Sequence, residues 1–164
     1  MTEAALAPES PQAPSVIRLL LNKLGVAYEE VLDHHGLNAS RKVQAVLLDD
    51  AVGALMVLFP QSQLLDLNRL AELTGRRLTA VSTERLEKML GKHNLSLLPG
   101  LPALTSSPCL YEESLLREPK LLINSGEPGL LLEISSEDFK SMLTKASAAN
   151  FGEALSRIRP NLDR

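Results

Sequence analysis

Few side chains in this sequence have the type and spacing that chemistry requires. His34 and His35 adjoin each other in DHHGLNAS, so their imidazoles point apart. No HxxxH or HxH spacing completes a metal-ligand set, and the pair reads as exposed loop. His93 stands alone at a loop start and reads as solvent-exposed. Cys109 is the single cysteine, which excludes an internal disulfide and any Cys-rich zinc site. With no histidine beside it in sequence, it reads as a small buried hydrophobe rather than a nucleophile. Ser106 and Ser107 lie outside any Gly-x-Ser-x-Gly elbow, so nothing supports a hydrolase triad. There is no Walker A loop and no GxGxxG. The stretch NSGEPG (124–129) could turn backbone N–H groups toward an anion, but reads more simply as a hairpin turn with Gly at positive φ. Arg76, Arg77, Arg85 and Lys88 make a modest basic cluster, read as a solvated face before an RNA-phosphate contact. These residues alone declare no reaction.

The elements that must position them are bounded by composition. The chain has 164 residues, with 17 Lys+Arg against 20 Asp+Glu, hence a formal charge of −3. That length suits one domain with a real core. Aromatic residues are only 3% and Trp is absent, so the core must be Leu, Val, Ile and Ala. This argues against aromatic base-stacking platforms, and the charge argues against a duplex-DNA partner. No apolar run approaches the ~20 residues needed to span a bilayer, so no membrane partner is expected. MTEAALAPESPQAP lacks the features of a secretory signal, and a cytoplasmic location is the expectation.

Patterning then gives the order of elements. Residues 1–14 read as a disordered, Pro-rich tail. SVIRLLLNKLG is a helix with Ser15 as N-cap and Gly25 after its end, with Val16, Leu19, Leu20 and Lys23 on one side and Ile17, Leu21 and Leu24 widening the apolar face. AYEEVL (27–32) is β-leaning. QAVLLDD and ALMVLFP are buried antiparallel strands joined by a turn. Asp66 caps a helix with Leu67, Leu70 and Leu73 at helical spacing, ending at Gly75. LTAV is a short strand, and Ser82 caps TERLEKMLG. Residues 92–108 form a long loop without period, of a length often used for binding. KLLINSGEPGLLLEI is a strand, turn and strand, and SSEDFKSML is a capped helix. The last twenty residues, 144–164, read as a weak helix or a linker toward another domain. Paired strands favour an α+β fold with a mixed, largely antiparallel, barrel-like sheet and surrounding helices.

Taken in order, these segments resemble the YbaK-like aminoacyl-tRNA editing domain, which is also inserted in bacterial prolyl-tRNA synthetases. Four stretches carry the resemblance: the first helix with LGVAYEEV; VQAVLLDDAVGALMVLFPQSQLLDLNRLAELTG; LTAVSTERLEKMLG; and LYEESLLREPKLLINSGEPGLLLEISSEDFKSML. They span roughly residues 16–143, and the domain is expected over 15–143. The resemblance implies hydrolysis of the ester of a mischarged aminoacyl-tRNA, with no metal and no cofactor. A lysine on the first strand of the central pair and a Gly-x-x-x-Pro loop are the family's site parts. Ester hydrolysis builds negative charge on oxygen, and a fixed cation or donor stabilises it.

The sequence departs from that pattern at both places. Gln44 stands at the lysine position, with Lys42 two residues before it on the same side of a strand. Leu95 and Leu98 stand where the loop's Gly is expected before Pro99 or Pro102. The candidate site is therefore Gln44 and Lys42 as catalytic positions, with Leu95, Leu98, Pro99, Gly100, Gly126 and Gly129 around the substrate, all expected to converge on one pocket. The functional expectation is an editing domain with weakened or lost catalysis. The alternative is a non-catalytic ligand-sensing or protein-interaction module of a longer regulatory protein. The partners implied are a tRNA acceptor end, a small amino-acid-like ligand, or a further domain or protein.

Overall fold

The computed structural model describes residues 12–143, 146–149 and 152–154. In chain order the elements are α1 (Ser15–Leu24), β1 (Glu29–Leu32), β2 (Lys42–Asp49), β3 (Ala54–Pro60), β4 (Gln63–Leu65), α2 (Leu67–Thr74), β5 (Thr79–Ala80) and α3 (Thr83–Gly91). Then come α4 (Pro102–Thr105), β6 (Cys109–Glu112), a 3₁₀ turn (Glu113–Arg117), β7 (Lys120–Asn124), β8 (Leu130–Ser135), α5 (Ser136–Met142), β9 (Ala146–Ala149) and β10 (Gly152–Ala154).

Local signals set most of these ends. Asp66, Ser82 and Ser135 each accept a hydrogen bond from the backbone N–H three residues on, as N-caps should. Gly25 and Gly75 sit in the left-handed region just past α1 and α2. The α1 cap differs from expectation: Pro14 is the N-cap, and its carbonyl accepts from Ile17 and Arg18. Ile17 and Leu21 of the expected apolar face turn inward, whereas Leu19, expected on the same face, is exposed. Ala13 is buried, and its N–H donates to Glu30 Oε2 at 2.7 Å, so the ordered packing begins before Ser15. Residues 1–11 of the expected tail lie outside the described residues.

The main sheet runs β1-β8-β7-β2-β3-β6-β9, with β5 pairing β2 off this path. The β1–β8, β7–β8, β2–β3 and β2–β5 pairs are antiparallel. The β2–β7, β3–β6 and β6–β9 pairs are parallel. The α+β expectation with a mixed sheet holds, but the sheet does not close as a barrel would. Closure needs the last strand to pair with the first. Here β1 bonds only β8 and β9 only β6 among the described residues, so the path has two ends.

The sheet is covered on both sides. One face carries Val43, Leu47, Met56, Leu58, Leu121, Ile123, Leu132 and Ile134 against α1, α3, the 94–101 loop and Phe139 of α5. The other face carries Leu48, Leu55, Val57 and Phe59 against Leu70 of α2 and Leu78. Burial on both sides explains why β3 is apolar throughout rather than alternating. The expected helix or linker over 144–164 is strand where it is described. Ala146–Ala149 extends the sheet beside β6 and Gly152–Ala154 pairs β4. Its amphipathic pattern is weak, and an unpaired β6 edge offers a full set of backbone hydrogen bonds. Among the described residues, no helix is long and apolar enough to cross a membrane.

The basic cluster of the sequence divides in the fold. Arg76 grips Asp50 with two hydrogen bonds, 2.8 Å from Nε and 2.6 Å from Nη2, and also reaches the Gly53 carbonyl. Arg85 pairs instead with Asp49. Arg76, helped by the N–H groups of Gly53 and Val52, holds the Asp50 carboxyl well below the usual carboxylate range, against an opposing desolvation. A folded-state pKa below the unfolded value of about 3.9 gives stability that is present above that pH and lost as pH falls below it. Thermal melting followed from about pH 5 down to about pH 2.5 should therefore fall more steeply in wild type than in Asp50→Asn. Parallel curves would show that the clamp does not govern the acid limb.

Candidate functional site

Strand alternation decides where the predicted site residues go. On β2, Val43, Ala45 and Leu47 face the larger core, whereas Val46 and Leu48 face the smaller one. Gln44 shares the second face, opposite Phe59 in register, and is exposed. The 94–101 loop packs on the first face. A Cβ added to Gly100 would lie 3.5 Å from Ile123 and 3.7 Å from Val43. Gln44 and the loop thus lie on opposite sides of the sheet, and the residue facing the loop is Val43. The expected convergence fails at Gln44 because a one-residue difference in register reverses the face.

Lys42 is mostly buried, its side chain 14% exposed, and its ammonium is engaged. Nζ lies 2.7 Å from Asp33 Oδ1 and donates to the His34 carbonyl at 3.3 Å. The pair turns the charge toward the 33–41 loop. Asp33 in turn donates its N–H to the Gly129 carbonyl at 2.9 Å.

The remaining predicted residues do meet. Leu95, Leu98, Pro99 and Gly100 are buried. Ser96 and Leu97 donate their N–H groups to the Gly126 carbonyl at 3.0 and 3.2 Å. Gly126 has φ +93°, and a Cβ there would stand 2.7 Å from Leu95 Cδ2. The 124–129 turn is therefore the common neighbour: Gly126 holds the 94–101 loop and Gly129 holds the segment that binds Lys42. Buried Ser125 stiffens the turn, donating to the Leu130 carbonyl at 2.8 Å and accepting from Glu127 N–H at 3.1 Å.

Beside that turn lies a cleft of about 500 Å³, lined by Pro14, Ser15, Val16, Leu19, Lys92, His93, Asn94 and Glu127. Asn94 has φ 56°, a left-handed conformation that Asn tolerates better than most residues. Lys92, Asn94 and Glu127 were not singled out by the sequence. Their signal was faint: an Asn after a helix end and two ordinary surface charges. His93 belongs to this cleft rather than to bare solvent. His34 accepts a hydrogen bond from Gly36 N–H within its own loop. Cys109 is buried, and desolvation pushes its thiol up to about 12, which leaves it unsuited to nucleophilic work at neutral pH. Among the described residues, no group of three or more His, Cys, Asp or Glu is placed to hold a metal.

An open mixed sheet, covered by helices on both faces and carrying a glycine turn against a long loop, defines the class as an α+β domain with a loop-built site. The family model for the aminoacyl-tRNA editing domain matches residues 24–142, and the chain belongs to that family. A provisional signal transduction protein from Marinobacter aquaeolei VT8 is 25% identical, with a TM-score of 0.78 over 92% of this chain. This chain spans only 32% of that protein's length. A provisional trans-editing enzyme for prolyl tRNA synthetase shares the fold at a TM-score of 0.70 and 20% identity, covering 88% of this chain and 100% of its own. No curated protein matches this chain.

Proposed function

We propose that this chain is a cytoplasmic editing-family domain that binds a tRNA acceptor end or a small amino-acid-like ligand, with the family's deacylation weakened or lost. The observation that carries the reading is the state of the two candidate catalytic positions. The family lysine position reads Gln44, on the sheet face away from the loop, and the neighbouring ammonium of Lys42 is taken up by Asp33. Ester cleavage would then lack a charged donor for the developing oxyanion. A charged hydrogen bond is typically worth ~1.5–3 kcal/mol, roughly ten- to 150-fold in rate if it acts in the transition state. The cleft supports retained binding. Its size falls in the usual range for small-molecule sites, and Lys92 and Glu127 complement the carboxylate and ammonium of an amino acid.

The test is deacylation of a panel of mischarged tRNAs, with tRNA and amino-acid binding measured alongside. Wild type should stay near the uncatalysed rate, and Gln44→Lys should not raise it, because the new ammonium would enter the wrong face. Robust turnover abolished by Lys42→Ala would overturn the loss of catalysis and return Lys42 to the active site. A second reading, a ligand-sensing module of a larger regulatory protein, is favoured by the Marinobacter relative, in which the matched domain is about a third of the chain.

A further inference from the structure

A groove of about 250 Å³ lies between β2 and α3 and shares Lys92 with the cleft. Leu47, Val81 and Met89 line it, and Arg85, Lys88 and Lys92 are its charged members. The arrangement follows from helical spacing. Residues 85, 88, 89 and 92 recur three and four apart and share one side of the helix and its C-terminal cap. Leu90 is buried in the core, and Val81, Leu86 and Met89 are partly buried against it, of which Val81 and Met89 also line the groove. Glu84 and Glu87, the other charges of α3, are not part of the lining. Asp49 partly offsets Arg85. Among the described residues, Lys88 and Lys92 form no ion pair. Positive charge is thus concentrated around an apolar floor on a chain whose formal charge is −3.

We infer that this groove docks an acidic amphipathic helix of a partner protein. Its apolar side chains would rest on Leu47, Val81 and Met89, and its carboxylates would meet Lys88, Lys92 and Arg85. The charge calls for an acidic partner. The floor distinguishes a peptide from a nucleic acid: a sugar–phosphate backbone gains nothing from Val81 and Met89, and no aromatic ring lines the groove to stack a base. A flexible Met beside aliphatic side chains is the surface that helix-in-groove recognition uses. The inference does not rest on the editing reading; Lys92 lines both the groove and the cleft, whereas Lys88 and Met89 line the groove and not the cleft.

The probe is a fluorescein-labelled synthetic helix with leucines at i, i+4 and i+7 flanked by glutamates, titrated with the whole chain by anisotropy. Binding should saturate and weaken with added salt. Exchanging the leucines for serines at constant charge should cost about ten-fold or more in affinity. Lys88→Glu should cost about ten-fold as well, and Met89→Glu should abolish binding. Met89 is half-buried, so its variant is checked by thermal melting. Lys88 is exposed, and its variant keeps the test decisive if Met89→Glu misfolds. The inference fails if the serine peptide or a tRNA binds as well as the leucine peptide, which would make the groove a general polyanion site. It also fails if wild type does not bind the leucine peptide.

Discussion

Leu101→Ala is expected to lower stability by about 2–5 kcal/mol, the range for truncating a fully buried leucine, whereas Leu97→Ala should stay within about 0.5 kcal/mol. Leu101 is 1% exposed and Leu97 36%, although both lie in the same irregular loop. Domains commonly hold only about 5–15 kcal/mol in total, so the first substitution removes a large share. The melting temperature should drop by several degrees for Leu101→Ala and barely move for Leu97→Ala. A loop that merely covered a pocket would give two small, similar shifts. A large difference between the two variants would show that Leu95, Leu98 and Leu101 belong to the core beneath α3 and α1.

That result bears on how far the sequence could be read. The elements with local signals were legible. Asp66, Ser82 and Ser135 announced three helix starts, the run ALMVLFP announced a buried strand, and NSGEPG announced a hairpin turn. The order of these parts carried the family. What failed depended on register and on long-range pairing. Gln44 and Val43 differ by one position, and only the pairing of Gln44 with Phe59 shows which of them faces the loop. The engagement of Lys42 depends on Asp33, which a loop brings back to it. The 92–108 segment read as a structured loop of binding length because it has no period, and the partners that bury Leu95, Leu98 and Leu101, among them α1 and the 124–129 turn, are not near it in sequence. KASAANFGEAL offered a weak helical pattern, and the open edge of β6 overrode it.

The contact between Gly126 and Leu95 allows a sharper test of the same junction. Gly126→Ala is expected to cost about 1–3 kcal/mol, because a non-glycine residue at φ +93° is strained whatever space surrounds it. Part of that cost should come from Leu95 Cδ2, which would stand 2.7 Å from the new Cβ. Leu95 is 7% exposed, so its rotation is restricted by the core. Leu95→Ala alone should cost about 2–5 kcal/mol through the cavity it leaves. In the double variant the new methyl enters that cavity, so the two costs should sum to more than the measured loss by at least about 0.5 kcal/mol. Chemical denaturation of the four proteins gives the cycle. Simple additivity would assign the whole penalty to the backbone angle and would mean that Leu95 yields freely. A coupled cycle would establish that Leu95 packs on the turn, beside the Ser96 and Leu97 hydrogen bonds to the Gly126 carbonyl. A ligand could then enter between loop and turn only by displacing a buried leucine, which would support the proposal that binding uses the neighbouring cleft.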